Sequence, residues 1–201
     1  MKIDRIYRFF AAVLAAVALC SCDGFIYEEQ GDCDPYYKVR FHFDRNLKFT
    51  DAFHAEVGAV TLYLVDEATG RIVWSKHEAG DAVRSQDYLM DVPVAPGRYH
   101  LVAWCGEGVG EDFEVAGTDR HEGLVCSLVH DSFARGADGD YHVTRHLQGL
   151  YHGTTLSQEF PDEEGVHIYD VSLTKDTNEV NVVLQQLSGG PVDKNKFSFY
   201  I

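Results

Sequence analysis

The sequence predicts an all-β protein, an antiparallel β-sandwich with short helical turns. Short runs alternate apolar with polar residues, turn residues separate these runs, and helix signals are sparse. In the first run, Val39, Phe41 and Phe43 alternate with Arg40 and His42. Because the side chains of a strand point alternately to its two faces, each run predicts a strand with one buried face. A series of such strands is typical of a sandwich.

The clearest two strands form a predicted hairpin. The stretches 59-AVTLYLV-65 and 71-RIVW-74 flank the turn-forming residues 66-DEATG-70. A short polar loop with a glycine between two strand patterns is typical of a β-hairpin. Further strands are predicted at residues 88–92, 99–105, 124–129, 166–173 and 179–185.

Helical signals are short. The best candidate is residues 50–55, with Thr50 or Asp51 as the N-cap, because a side-chain oxygen there can accept a hydrogen bond from the first turn. The stretch 145-RHLQGLYHGTT-155 predicts an irregular crossing or a single helical turn.

The chain begins with the pattern of an export signal. Basic residues precede an unbroken apolar run of 11 residues at positions 9–19. As a helix this run would be about 16 Å long, roughly half of a bilayer core, so it is too short to span one. The pattern therefore predicts a signal peptide over residues 1–21.

The cleavage region resembles a bacterial lipobox. Leu19 stands three residues before Cys22, and the small Ser21 directly precedes it. Cys20 is the poorer candidate because the bulky Leu19 would then precede the cut. The resemblance implies a lipid on Cys22 and an acylated N-terminus, and two or more acyl chains hold a protein stably on a membrane. The alternative is an ordinary secreted protein with a chance cysteine near the cut.

The mature chain is strongly acidic. Residues 1–21 contain three of the 17 basic and one of the 32 acidic residues, which leaves 14 and 31 and a net charge of −17. Such a charge argues against binding to nucleic acid or to anionic lipid. Residues 22–35 read as an acidic tether, and Glu28 and Glu29 resemble the surface-export signals of some Gram-negative lipoproteins. We therefore expect a lipid-anchored, surface-exposed protein of the outer membrane.

Three cysteines remain after removal of Cys20 and lipidation of Cys22. An exported protein can form disulfides, but with Cys33, Cys105 and Cys126 at most one intramolecular bridge is possible. The spacing does not choose the pair.

Catalytic and metal-binding motifs are missing from the sequence, and no cofactor is predicted. There is no GxSxG, HExxH, P-loop or GxGxxG pattern, so we predict that the protein is not an enzyme. His142 and His146 stand four residues apart, with His152 nearby, but no glutamate completes a zinc motif. Asp138 and Asp140 lack the spacing of a calcium loop, so a turn is the better interpretation.

Six segments, together with the lipobox, resemble the FimB/Mfa-type anchor and accessory lipoproteins of type V fimbriae. The resemblance covers nearly all of residues 22–201 and implies a transthyretin-like β-sandwich over residues 36–187. It also implies a partner, the fimbrial shaft subunit (fimbrillin), joined by β-strand complementation. The segments are 38-KVRFHFDRN-46, 51-DAFH-54, 59-AVTLYLVDEATGRIV-73, 94-VAPGRYHLVAWCG-106, 150-LYHG-153 and 182-VVLQQLSG-189.

The C-terminal end departs from this family pattern. Members usually continue into a second β domain, whereas 187-LSGGPVDKNK-196 is followed here only by 197-FSFYI-201. Residues 188–201 are therefore interpreted as a linker and the first strand of a truncated second domain. The alternative is a free terminal strand that pairs with a neighbouring sheet.

A surface glycan-binding lipoprotein is the alternative function. The chain has 11 tyrosines, and Trp74 and Trp104 could stack on sugars. Both tryptophans lie within strand patterns, however, which favours half-buried positions in a sheet over an exposed platform.

Overall fold

The computed structural model describes residues 34–129, 133–135, 141–143, 145–179, 183–185 and 189–196. Among these residues, one short helix, α1 (Phe53–Glu56), and two 3-10 turns, His121–Gly123 and Lys194–Lys196, accompany the strands. The strands are β1 Pro35–His42, β2 Ala59–Asp66, β3 Ile72–Ala79, β4 Met90–Asp91, β5 Gly97–Cys105, β6 Phe113–Ala116, β7 Val125–Leu128, β8 Phe133–Arg135, β9 Tyr141–Val143, β10 Tyr151–Phe160, β11 Gly165–Ser172 and β12 Thr174–Lys175.

The strands form two main sheets and two small hairpins. The larger sheet has five strands in the order β12-β10-β5-β2-β3, all paired antiparallel, and the smaller has the order β11-β1-β4. The predicted all-β sandwich is thus confirmed. One pair differs from an antiparallel sheet, since β1 and β11 run parallel in register from Pro35 opposite Gly165 to His42 opposite Ser172.

The core lies between these two sheets. Val39 and Phe41 of β1 are fully buried with Leu62 and Leu64 of β2 and Leu101 of β5. Each such side chain stabilises the fold by about 1.5–3 kcal/mol relative to an exposed one. A second, smaller cluster covers part of the opposite face of the five-stranded sheet, where Tyr63, Val65 and Val102 pack with Val115 and Leu124.

The hairpin β2–β3 is confirmed. Its turn is closed by Asp66, whose Oδ1 accepts hydrogen bonds from the Thr69 backbone N–H and hydroxyl at 2.8 and 2.5 Å. Gly70 takes a φ of +65°, a conformation that suits glycine. Strand β3 is longer than predicted and ends at Ala79.

The prediction for the helix start was wrong by one or two residues. The N-cap of α1 is Ala52, and no side chain caps it. The Asp51 carboxylate nevertheless accepts a hydrogen bond from the Phe53 N–H at 3.0 Å, and it also accepts one from the Phe43 N–H at 2.9 Å. Asp51 therefore ties the helix to the end of β1.

The irregular crossing predicted at residues 145–155 was wrong in its second half. Residues 145–150 lack regular structure, but Tyr151 begins β10, which pairs with β5 and β12. Glycine at position 153 hides the strand pattern in the sequence, yet it is required there because a Cβ would lie 2.7 Å from Val171 Cγ1. The strand predicted at 88–92 is shorter, covering Met90–Asp91 only.

The strand predicted at residues 179–185 was wrong for its described residues. Glu179 and residues 183–185 lie outside strands, and β12 at Thr174–Lys175 instead pairs with the start of β10. Several predictions concern residues that the structure does not describe. These are the signal peptide 1–21, Cys22, Cys33, the tether up to residue 33, Asp138, Asp140 and residues 197–201. Among the described residues, no helix is both long and apolar enough to cross a bilayer.

Candidate partner-binding edges

Two long strands lie at sheet edges in the described part of the chain. Strand β3 has β2 as its strand partner, and β11 has β1. An edge strand has backbone N–H and C=O groups that another chain can pair with, unless charges or other structure protect them. The two edges differ in how far charges and neighbouring structure protect these backbone groups.

The β3 edge carries charged and polar side chains. Lys76 Nζ lies 2.6 Å from Glu78 Oε1, and the Tyr88 hydroxyl donates to Glu78 Oε2 at 2.7 Å. Burial alone would raise the pKa of Glu78, but these two hydrogen bonds hold it below its ordinary value. The start of the strand is also covered, because the Ile72 N–H donates to the Asp119 carbonyl at 3.0 Å. Charges on an edge discourage pairing with a further strand.

The β11 edge is more apolar. Its exposed face carries Val166 and Ile168, which are 59% and 45% exposed. Its other face is anchored in the core, where Val171 is fully buried and the Tyr169 ring stacks on Phe160 with centroids 4.2 Å apart. The strand is therefore held firmly by one face while its other face presents branched side chains to solvent.

Strand β10 approaches the open side of β11 near its C-terminal end. The Thr155 hydroxyl on β10 donates to the Asp170 carbonyl at 3.0 Å, and a Cβ at Gly153 would lie 2.8 Å from the Ser172 carbonyl oxygen. No strand of the described residues pairs with β11 on that side, and Val166 and Ile168 lie at its other end.

A ladder of charges joins β11 to β1 at the far end of the same face. Arg40 Nε lies 2.7 Å from Asp170 Oδ1, and His42 bridges Asp170 and Asp51 at 3.1 and 2.7 Å. Burial alone would lower the pKa of His42, but hydrogen bonds with the two carboxylates raise it above its ordinary value. The hydrogen bond from Arg40 in turn lowers the pKa of Asp170. The ladder fixes β11 against β1.

The described cysteines are both free thiols. Cys105 is fully buried in the main core, where burial raises its pKa far above the ordinary value. Cys126 lies half-buried on β7, and burial raises its pKa to about 11. Both thiols are therefore poor nucleophiles. Cys33 lies outside the described residues, so a bridge that involves it stays a prediction.

His152 and the two tryptophans that the sequence singles out lie against neighbouring side chains of the sandwich. His152 lies 2.7 Å from Asp176, and its ring centroid is 5.7 Å from that of Trp104. Trp104 is half-buried, and its Nε1 is buried without a hydrogen-bond partner among the described residues. Trp74 packs against the main core. In the described residues, no group of three or more His, Cys, Asp or Glu side chains is arranged to hold a metal ion.

Three solved structures share this fold. A candidate adhesin from Bacteroides thetaiotaomicron, 26% identical, has a TM-score of 0.66 over 83% of this chain and 54% of its own. A candidate polysaccharide-binding protein from the same species, 24% identical, has a TM-score of 0.59 over 71% of this chain and 48% of its own. The fimbrial anchor protein Mfa2 from Porphyromonas gingivalis, 16% identical, has a TM-score of 0.52 over 71% of this chain and 51% of its own. The chain thus spans about half the length of the solved structures it matches.

A sequence comparison extends the likeness beyond the fold. No curated protein matches the chain. The family described as fimbrillin-A associated anchor proteins Mfa1 and Mfa2, however, matches residues 29–201, which include every described strand. The resemblance carried by the six segments is confirmed by this match. The chain belongs to the family of fimbrillin-A associated anchor proteins.

Proposed function

We propose that this protein is an outer-membrane anchor or accessory subunit that holds a fimbrial shaft subunit by β-strand complementation at the β11 edge. The observation that carries this proposal is the edge itself: eight residues, paired on one side with β1, with Val166 and Ile168 exposed on one face. Membership of the anchor family supports the shaft subunit as the partner. Such a role needs no catalytic group.

The β11 edge offers two sources of binding free energy. A strand laid along it would form backbone hydrogen bonds, each worth about 0.5–1.5 kcal/mol net. It would also cover Val166 and Ile168, which are about half exposed. Since full burial of such a side chain is worth about 1.5–3 kcal/mol, covering the exposed half of each adds roughly 1 kcal/mol.

The β3 edge is the weaker candidate. A strand added there would have to be accommodated beside the Lys76–Glu78 ion pair, and it would displace the hydrogen bond from Ile72 to Asp119. Removing charged groups from water without new partners costs free energy. The contrast between the edges favours β11.

The proposed attachment to the membrane is a lipid on Cys22. The tether, residues 22–35, leads directly into β1, which begins at Pro35. A segment of 13 residues spans at most about 45 Å when fully extended, which is long enough for the sandwich to be held away from the lipid surface. We place the protein on the outer membrane, exposed at the cell surface.

The test combines crosslinking with edge variants. The tagged, lipidated protein is crosslinked in its native host, captured from the outer membrane, and its partners are identified by mass spectrometry. We expect a fimbrial shaft subunit as the dominant partner, with crosslinks close to residues 165–172. The variant Val166→Lys/Ile168→Lys should lose this partner, because lysines on an edge oppose pairing.

The matched control places a lysine on the other edge. Val73 on β3 is 53% exposed, close to Val166 and Ile168, so Val73→Lys introduces one lysine at a comparably exposed edge position and should retain the partner. Capture of no shaft subunit by the folded, membrane-bound protein would refute the anchor function. Loss of the partner with Val73→Lys but not with the β11 variant would move the binding site to β3.

A further inference from the structure

The loop between β1 and α1, residues 44–50, presents two large apolar side chains to solvent. Leu47 and Phe49 are 94% and 95% exposed, more than any other large hydrophobic residue in the described part of the chain. A single exposed apolar residue is ordinary on a protein surface. Here two such residues lie two positions apart on one short loop.

The loop is fixed by Asn46. Its side-chain Nδ2 donates to the Phe43 and Thr50 carbonyls at 2.5 and 2.8 Å, and its Oδ1 accepts from the Lys48 N–H at 2.8 Å. A backbone hydrogen bond from Ala52 to the Phe43 carbonyl, at 3.0 Å, closes the base. The two apolar residues are therefore held on a preorganised loop, which lowers the entropy cost of binding.

Phe49 has an unfavourable backbone conformation. Its φ is +57°, in the left-handed region that glycine and asparagine adopt most readily. The Phe49 side chain contacts no other aromatic ring among the described residues and is almost wholly exposed, so packing does not offset the cost of this backbone conformation. Residues held in such conformations cluster at binding and switch sites.

The position of the loop indicates what it meets. It follows the end of β1 that lies away from Pro35, where the tether joins, and a strand of eight residues spans about 26 Å. The tether therefore joins the opposite end of β1, and the loop follows the β1 end at which His42 lies opposite Ser172 of β11. Because β11 runs parallel to β1, and the Leu173 N–H donates to the His42 carbonyl at 2.7 Å, the loop continues the surface of the β11 edge.

We propose that Leu47 and Phe49 form a docking prong that inserts into an apolar pocket of the fimbrial shaft subunit, next to the strand bound at β11. The proposal rests on the proposed anchor function. The exposed Arg45 beside the prong has no ion pair in the described part of the chain, so an acidic rim on that pocket would complement it. The prong would add buried side-chain contacts to an interface that is otherwise formed mainly by backbone hydrogen bonds.

The experiment measures binding of the purified shaft subunit to the wild-type mature chain and to three variants of it by biolayer interferometry. The double variant Leu47→Ser/Phe49→Ser should keep the wild-type melting temperature, because neither side chain is buried, and should raise the Kd about tenfold or more. Val73→Ser, an exposed residue on β3, is the matched control and should leave the Kd unchanged. Phe49→Gly relieves the backbone conformation, so it should be at least as stable as wild type and still bind more weakly.

The outcomes separate the two proposals. If the wild-type chain binds the shaft subunit and the double variant binds equally well, the prong is refuted and the anchor function stands. If the wild-type chain does not bind the shaft subunit, both are refuted. A parallel flotation assay uses vesicles made of outer-membrane lipids. If the unlipidated wild-type chain binds these vesicles and the double variant does not, the loop contacts membrane and the prong is again refuted.

Discussion

Gly153 sets the spacing between the two sheets where β11 crosses β10, and we expect Gly153→Ala to destabilise the fold. A Cβ at this position would lie 2.7 Å from Val171 Cγ1, 2.8 Å from the Ser172 carbonyl oxygen and 2.9 Å from Leu173 Cδ2. Val171 and Leu173 are fully buried, and the third contact is backbone, so none of them can move cheaply. The sheets must separate locally to accept the methyl group.

The magnitude follows from these contacts. Overpacking a core by one methyl group costs about 1–3 kcal/mol. Alanine is better than glycine in a strand by roughly 0.5–1 kcal/mol, which offsets part of this cost. The middle of these two ranges leaves a net loss of about 1 kcal/mol, which for a protein of this size lowers the melting temperature by about 2–4 °C.

Thermal and urea unfolding of the mature chain measure this effect against a matched substitution. At Gly123 a Cβ would meet only Gly117 atoms at 3.6 and 3.8 Å, ordinary van der Waals distances, so Gly123→Ala should change the melting temperature little. Because β11 lies directly over Gly153, the Gly153 variant should also bind the shaft subunit more weakly. Equal melting temperatures for the two variants would show that the sheets absorb the methyl group, and the reasoning on sheet spacing would be wrong.

Four further predictions concern other parts of the molecule. The pKa of His42 is raised in the folded state, so its ion pairs contribute their full stability below the unfolded pKa, and this contribution is lost as pH rises through the folded pKa. Unfolding curves from pH 6 to 8 should show this loss of stability, and His42→Gln should abolish the pH dependence. Asp112 is fully buried, pairs with Arg145 and accepts a hydrogen bond from the Gln148 N–H at 2.8 Å, so Asp112→Ala should cost about 3 kcal/mol in urea unfolding, whereas a change below 0.5 kcal/mol would contradict this structural role. Trp104→Ala should cost about 2 kcal/mol because the indole is half-buried, and oligosaccharide binding that disappears in this variant without a loss of stability would instead support the glycan-binding alternative. Cys22→Ala should remove the acyl mass from the N-terminal peptide and release the protein from the membrane fraction, and membrane retention of this variant would exclude the lipid on Cys22.

The sequence predicts those parts of the fold that depend on local patterns. The β2–β3 hairpin was found because its alternating strands flank a turn closed by Asp66 and Gly70, all within about 20 residues. Strand β10 was missed because His152 and Gly153 interrupt the apolar alternation at its start. Its strand conformation is imposed by pairing with β5, which lies some 50 residues away in the sequence.

The candidate site depends on information that a single sequence does not carry. Residues 166–173 were predicted as a strand, but whether that strand lies at an edge depends on the order of strands in the sheet. The exposure of Val166 and Ile168 follows from that order, and an alternating pattern alone predicts them only as one face of a strand. The proposed prong could not be predicted from the sequence, because the exposed position of Phe49 depends on the loop conformation that the Asn46 hydrogen bonds hold.

The parallel pairing of β1 with β11 determines how the proposed anchor responds to a pulling force. In the proposed arrangement, tension from the membrane would enter β1 at Pro35, and tension from the shaft would enter through β11. The two strands are joined by eight register pairs that lie across the direction of pull, so the force acts in shear and loads these backbone contacts together. In a peeling geometry the same bonds would break one after another under a much smaller force. Under a pull along β1, the paired strands would therefore act as a lap joint, which is strongest along its own long axis.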